Sequence, residues 1–285
     1  MIRLGDTPLF RIGLGTMPLS VPDRPDERQA IATIHAAIAA GVNLLDTADA
    51  YSDGEDDVGR GERLIARALR ELPASDERPL VATKGGHTRP GGEWELDGRP
   101  EYLRAACEAS LRALGVETID LYQLHRPDPD TPFAESVGAL RDLRDEGKIR
   151  HVGLSNVTVA QLEEAEAIVE IAAIQNELSL SYPDPIAKGE VAACEERGIP
   201  FLAWSPLGGA SGAKDAGGRA VRRIADEHGV SPQRVALAWL LSLSPSVVPI
   251  PGSRRPETIL DSVAAVELEL GADELAAIEA DIADQ

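Results

Sequence analysis

The sequence predicts a single (β/α)8 barrel over residues 1–285, entered through an N-terminal β-hairpin and carrying extra C-terminal helices. Three observations support this. Short apolar runs alternate with amphipathic ones from residue 11 onward, and strands that alternate with helices at such intervals build a parallel sheet. Eight such pairs can be marked off, the number that closes a barrel. Finally, no shift in composition divides the chain, and the G-x-G-x-x-G turn of a doubly wound nucleotide-binding sheet is absent.

The elements follow in order. Residues 2–10 read as a hairpin turning at Gly5-Asp6, and residues 11–17 as a strand whose Gly13 and Gly15 allow close backbone approach. A helix over 26–40 carries Ile31, Ile34 and Ile38 on one face and is closed by Gly41. The buried run Val42–Leu45 ends in Asp46, and a helix over 62–72 is stopped by Pro73. A strand over 80–84 precedes a Gly/Pro-rich excursion from Gly85 to Pro100 and a helix over 101–114 ending at Gly115. Next come strand 119–125, a proline-stiffened loop and helix 133–146. Strand 149–154, helix 158–169, strand 171–177 and helix 185–197 continue the alternation. Strand 200–205 leads into a Gly/Ser/Ala loop over 208–218 and helices near 219–228 and 231–243. Strand 247–250 and helices near 256–264 and 272–283 complete the chain.

Composition narrows the function classes. The 48 acidic against 28 basic residues give a net charge of −20, which argues against nucleic acid or an anionic membrane as partner. Cys107 and Cys194 lie in helical segments away from other cysteines, as packing residues of a reducing compartment do. Without a leader pattern or an apolar run long enough to span a bilayer, a cytoplasmic location is expected.

Three consecutive strands end in an ionisable side chain: Asp46, Lys84 and His125, with Tyr51 just beyond the first. Each residue alone has an ordinary role as cap, solvated tip or core group. Their recurrence at matching intervals calls for a common cause. Neighbouring parallel strands lie about 5 Å apart, so the four side chains converge at the carboxyl end of the barrel. A phenol beside an ammonium group, itself held charged by a carboxylate, is a proton donor tuned toward working pH. His125 can orient the same substrate oxygen. Lacking a Ser-His-Asp arrangement or a tight zinc set, the group suits protonation of a developing alkoxide, as in carbonyl reduction by hydride. Hydride requires a cofactor. Later strand ends offer a bed for one: Ser155, Asn156 and Gln175 for a carboxamide, and Trp204 to stack on a flat ring. The run Ser205, Pro206, Leu207, Gly208 and Gly209 could wrap a pyrophosphate, with Gly252 and Ser253 opening the last phosphate site and Arg254 or Arg255 suiting a ribose phosphate.

These residues resemble the aldo-keto reductase superfamily along nearly the whole chain. The motifs are Asp46-Thr47-Ala48-Asp49-Ala50-Tyr51, Thr83-Lys84, Leu124-His125, Gly153-Leu154-Ser155-Asn156, Gln175-Asn176-Glu177, Trp204-Ser205-Pro206-Leu207-Gly208 and Ile250-Pro251-Gly252-Ser253. The resemblance implies a metal-free NAD(P)H-dependent reductase of small carbonyl substrates, with Tyr51 as general acid, Lys84 and Asp46 as its tuning pair and His125 as orienting residue. It implies further cofactor contacts from Gly15, Thr16, Met17, Ile250, Thr258, Asp261 and Ser262. Thr258 and Asp261-Ser262 depart from the arginine or glutamine and the Glu-Asn of many members. NADPH is therefore expected through Arg254, with NADH possible. Substrate selectivity falls to Met17, the 86–99 excursion with His87 and Trp94, Arg126, and the loop after Leu207. The C-terminal half also resembles bacterial pyridoxal reductases, making pyridoxal one candidate substrate. Potassium-channel beta subunits, redox-sensing binding proteins, also resemble the family, although no N-terminal extension precedes this barrel. A cofactor-free barrel using the same acid for isomerisation or hydrolysis is the remaining alternative. A monomer or weak homo-oligomer is expected.

Overall fold

The computed structural model describes residues 2–73, 78–209 and 218–283. Strands β1 (Arg3–Leu4) and β2 (Thr7–Pro8) form the expected hairpin, paired Arg3 to Pro8 and Leu4 to Thr7. Gly5 turns it with φ +54°, a conformation that suits a residue without Cβ. The barrel strands are β3 (Leu14–Gly15), β4 (Leu44–Asp46), β5 (Leu80–Gly85), then, past a small outer hairpin of β6 (His87–Thr88) and β7 (Glu95–Leu96), β8 (Ile119–Leu124), β9 (Ile149–Ser155), β10 (Ile171–Glu177), β11 (Phe201–Trp204) and β12 (Val247–Pro249). All eight pair in parallel in the order β3-β4-β5-β8-β9-β10-β11-β12. The two ends of this order also meet. Gly13 N donates to Pro249 O at 2.9 Å and Gly15 N to Pro251 O at 3.1 Å, and Gly15 bridges Gly252. The sheet closes on itself and leaves no free edge. A Cβ on Gly15 would lie 2.8 Å from Ile250 O, so this seam requires a glycine.

Side chains alternate across the barrel wall. Leu44, Leu80, Leu121, Ala173, Leu202 and Val248 point inward and pack with Ile2, Leu4 and Leu9, so the N-terminal segment plugs the bottom of the barrel. Their neighbours along the strands, Leu45, Val81, Tyr122, Ala203 and Val247, pack outward against the helices. Helices α1 (Glu27–Ala39), α2 (Arg60–Glu71), α3 (Pro100–Leu114), α4 (Phe133–Asp145) and α5 (Val159–Glu166) follow their strands as expected, Asp26 capping the first through Gln29 N at 2.9 Å. Four further helices, at 219–228, 232–243, 256–263 and 272–283, stand within a residue or so of expectation.

Three details differ from the sequence reading. The helix expected over 185–197 is two, α6 (Asp184–Ala187) and α7 (Glu190–Arg197), because Gly189 at φ +76° breaks the first and begins the second. The strand expected over 11–17 contracts to Leu14–Gly15, and Met17–Leu19 form a 3-10 turn. The 86–99 excursion contains the β6–β7 hairpin, paired His87 to Leu96 and Thr88 to Glu95; two-residue strands leave no periodic signal to read. Of the loop expected over 208–218, residues 210–217 lie outside the described residues. Among the described residues no helix is long and apolar enough to cross a membrane.

One packing contact yields a test. A Cβ on Gly85 would stand 2.1 Å from the Oη of Tyr122, a fully buried ring between β8 and α3, whereas a Cβ on Gly138 of α4 would meet nothing within 4 Å. Gly85→Ala is expected to lower the unfolding free energy by about 2–3 kcal/mol through overpacking. Gly138→Ala is expected to raise it by up to ~1 kcal/mol through helix propensity. Urea unfolding of both variants checks the pair, and equal midpoints would refute the packing assignment.

Candidate active site

The site stands at the carboxyl ends of the barrel strands. Asp46 is the last residue of β4, Lys84 the penultimate residue of β5, and His125 follows β8 directly. Asp46 pairs with Ala82 in the sheet, which sets Lys84 two residues higher on the neighbouring strand. From there its fully buried ammonium donates to both Asp46 carboxylate oxygens at 2.9 and 2.7 Å and to Thr47 O at 2.7 Å. It also donates to Tyr51 Oη at 3.3 Å. Gln175 Nε2 completes the cluster with a 2.7 Å bond to Asp46 Oδ1.

The electrostatics follow from this packing. Burial lowers the Lys84 pKa, but Asp46 and Tyr51 outweigh it and the net direction is upward, so the ammonium stays charged. Tyr51 differs from the sequence expectation of a pKa drawn toward working pH. Burial raises its phenol, Lys84 pulls it back only in part, and the proton is held more firmly than in water. His125 moves the other way: burial, then Lys84, hold it well below the ordinary imidazole value, so its ring is neutral. Its backbone N donates to Gly85 O at 2.9 Å, its backbone O accepts from Asn156 Nδ2 at 3.0 Å, and its buried Nδ1 has no hydrogen-bond partner among the described residues. Its ring meets Tyr51 edge-on at 5.7 Å and His87 at 4.4 Å. His87 in turn meets Trp94 at 5.4 Å, and Trp94 meets Tyr51 at 6.5 Å.

These groups open into a cavity of about 560 Å³. Asp46, Tyr51 and His125 line it, and Lys84 stands behind them without reaching its surface. The expected cofactor residues Gly15, Met17, Ser155, Asn156, Gln175, Trp204, Ser205, Pro206, Leu207 and Gly209 also line it, with Ile250, Gly252, Ser253 and Arg254. So do Trp94 and Arg126 from the expected substrate side. Asn156 at φ +59° and Ser205 at φ +47° hold left-handed backbone without being glycine, and strain of this kind concentrates at functional sites.

Five expected cofactor residues do not line the cavity. Thr16 is buried and braces the strand end through Asp46 O at 2.8 Å, and Gly208 N closes a turn on Ser205 O at 2.8 Å. Thr258 is engaged with Ser253 Oγ at 2.7 Å and Arg255 O at 2.9 Å. Asp261 pairs with Arg234 at 2.6 Å and accepts from Ser231, while Ser262 donates to Thr258 O at 3.0 Å. Asp261 thus faces helix 232–243, and nearness in sequence to a phosphate motif does not reveal a helical face. Conversely, Pro18 and Val21 line the cavity without having been singled out, as does Pro251, which was quoted only within its motif. They are apolar residues of short loops and carry no chemical signature. The two cysteines are buried, and burial pushes both thiols up to about 12, consistent with packing roles.

A tyrosine that holds its proton thus stands over a buried lysine–carboxylate pair at the mouth of a parallel barrel. Comparison with known proteins gives the family. The aldo/keto reductase family model matches residues 11–282, and the chain belongs to that family. An uncharacterized oxidoreductase of Schizosaccharomyces pombe is 34% identical, over 98% of this chain and 88% of that protein. The structure of a glycerol dehydrogenase from Gluconobacter oxydans aligns with a TM-score of 0.84 at 30% identity, over 99% of this chain and 95% of that one. An aldo-keto reductase from Klebsiella pneumoniae, solved in complex with NADPH, aligns with a TM-score of 0.80 at 26% identity, over 97% and 92% of the two chains.

Proposed function

We propose that this protein is an NADPH-dependent reductase that converts an aldehyde or ketone to the alcohol, with Tyr51 as general acid. The observation that carries the reading is the Tyr51 phenol hydrogen-bonded to an ammonium that Asp46 keeps charged. As the carbonyl carbon accepts hydride, Tyr51 Oη passes its proton to the carbonyl oxygen, and the Lys84 ammonium stabilises the phenolate left behind. Neutral His125, in the tautomer that carries its proton on Nε2, would orient the same oxygen.

The donor set around the cavity fits a nicotinamide. Asn156 Nδ2 is engaged with His125 O and Ser155 Oγ, and Gln175 Nε2 with Asp46. That leaves the Ser155 hydroxyl as a donor and the Asn156 and Gln175 carbonyls as acceptors. One donor and two acceptors complement a primary carboxamide, which offers one oxygen and two N–H groups. Trp204 would stack on the ring, Ser205–Gly209 would hold the pyrophosphate, and Arg254 would meet the ribose phosphate. When bound, NADPH supplies the hydride. The NADPH complex of the Klebsiella relative supports the same choice of cofactor.

Titration of the protein with NADPH and with NADH, followed by tryptophan fluorescence, tests the cofactor. Saturable quenching by NADPH is expected, lost in Trp204→Ala. Arg254→Ala should weaken NADPH about tenfold and NADH little, as loss of one charge-assisted phosphate contact does. Absence of quenching by either nucleotide would refute the reductase. Turnover is then measured as NADPH oxidation with p-nitrobenzaldehyde, DL-glyceraldehyde and pyridoxal.

A further inference from the structure

Arg89, on the arm that carries the β6–β7 hairpin, is only 6% exposed. Among the described residues no carboxylate bonds it, which is unusual for a buried cation. Its guanidinium is committed to carbonyls instead. Nη1 donates to Ala50 O at 3.3 Å and to Ser52 O at 3.1 Å, the peptide oxygens on either side of Tyr51. Nε and Nη2 donate to Gly92 O at 3.1 and 2.7 Å, fastening the arm's own turn. One face of the guanidinium lies 4.0 Å from the Trp94 ring, whose edge meets Tyr51. A single planar group thus ties the backbone flanking Tyr51 to the arm whose rings wall the cavity beside it. A lysine could not reproduce this, because an ammonium is a point donor without the flat fork that spans several carbonyls and stacks on an indole.

We propose that Arg89 is a positioning residue for the reaction: it fixes the Tyr51 phenol at the distance from Lys84 that proton transfer requires. The assignment rests on the reading of Tyr51 as general acid. Arg89 touches neither substrate nor cofactor and acts through the tyrosine loop.

The test is a double-mutant cycle. Arg89→Ala and Arg89→Lys are prepared alone and with Tyr51→Phe, and assayed with p-nitrobenzaldehyde at saturating NADPH, alongside melting temperature and NADPH affinity. Misplacing a catalytic group by about 1 Å costs up to ~10²-fold, so Arg89→Ala should lose about 30-fold or more in kcat. KM and NADPH affinity should stay within about threefold, Arg89→Lys should not restore the rate, and added guanidinium ion should recover part of it in Arg89→Ala. In Tyr51→Phe, replacing Arg89 should change the residual rate by less than about twofold, because two residues that act as a unit are not additive. Arg89→Lys carries the same cycle where the alanine variant does not fold. A parent-like kcat, additive losses with Tyr51→Phe, or a loss confined to KM or nucleotide affinity would overturn the positioning role. A parent-like Tyr51→Phe would instead overturn the reductase reading, so the two failures are distinguishable.

Discussion

Tyr51→Phe is expected to lower kcat for carbonyl reduction by about 10²–10⁴-fold, the usual contribution of a general acid, with fold and NADPH affinity unchanged. The substitution removes one oxygen whose sole hydrogen-bond partner among the described residues is Lys84, at 3.3 Å. The ring keeps its edge contacts with Trp94 and His125, so the cavity wall is preserved. The pH profile supplies an independent signature. The donor acts in its protonated form, and burial raises its pKa. Reduction should therefore run without a Tyr51 limb from neutral pH up to the ordinary phenol range near pH 10 and fall only above it. That alkaline limb should be missing from the residual rate of Tyr51→Phe. Retention of near-parent turnover in the variant would remove Tyr51 from the mechanism.

How much of this was legible beforehand depended on what kind of signal each residue leaves. Asp46, Lys84 and His125 each end an apolar run, and strand ends in a parallel barrel gather at one face, so the convergence of these side chains could be read from spacing. Its electrostatics could not. Whether Lys84 or burial governs Tyr51 depends on how deeply the ring sits, and that is decided by Trp94 and His87 arriving from an arm more than thirty residues away in the chain. The arm itself was opaque because glycines, prolines and two-residue strands carry no hydrophobic period. Arg89 carries no sequence signal that sets it apart from the other arginines, and only the folded chain brings Ala50 O and Ser52 O to it. Asp261 and Ser262 show the opposite case: a strong neighbouring motif suggested a role, while their side chains are engaged with Arg234 and with Thr258 O and do not line the cavity.

Lys84→Met should cost more stability than any other single change in the site. Lys84 is fully buried and donates three bonds to Asp46 and Thr47, and removing it leaves the Asp46 carboxylate, itself 3% exposed, with Gln175 Nε2 as its remaining side-chain partner. Breaking a buried pair from one side strands a charge, so a loss of about 3–5 kcal/mol in unfolding free energy is expected. Making Asp46→Asn in the same chain should return much of that loss, because the stranded charge is gone, yet leave the enzyme inactive. Stability and catalysis would thereby separate at one pair. The pH dependence has a definite sign. A lysine whose folded pKa lies above its unfolded value contributes fully below the unfolded value, near 10.4, and loses the contribution as pH rises through the folded one. The part of the gap between parent and Lys84→Met that Lys84's own charge supplies should accordingly persist at neutral pH and narrow in strong alkali, as urea unfolding at several pH values would reveal. A gap below about 1 kcal/mol at pH 7 would match a solvent-screened pair instead, and the dry, fully engaged Lys84–Asp46 pair on which Tyr51 depends would have to be given up.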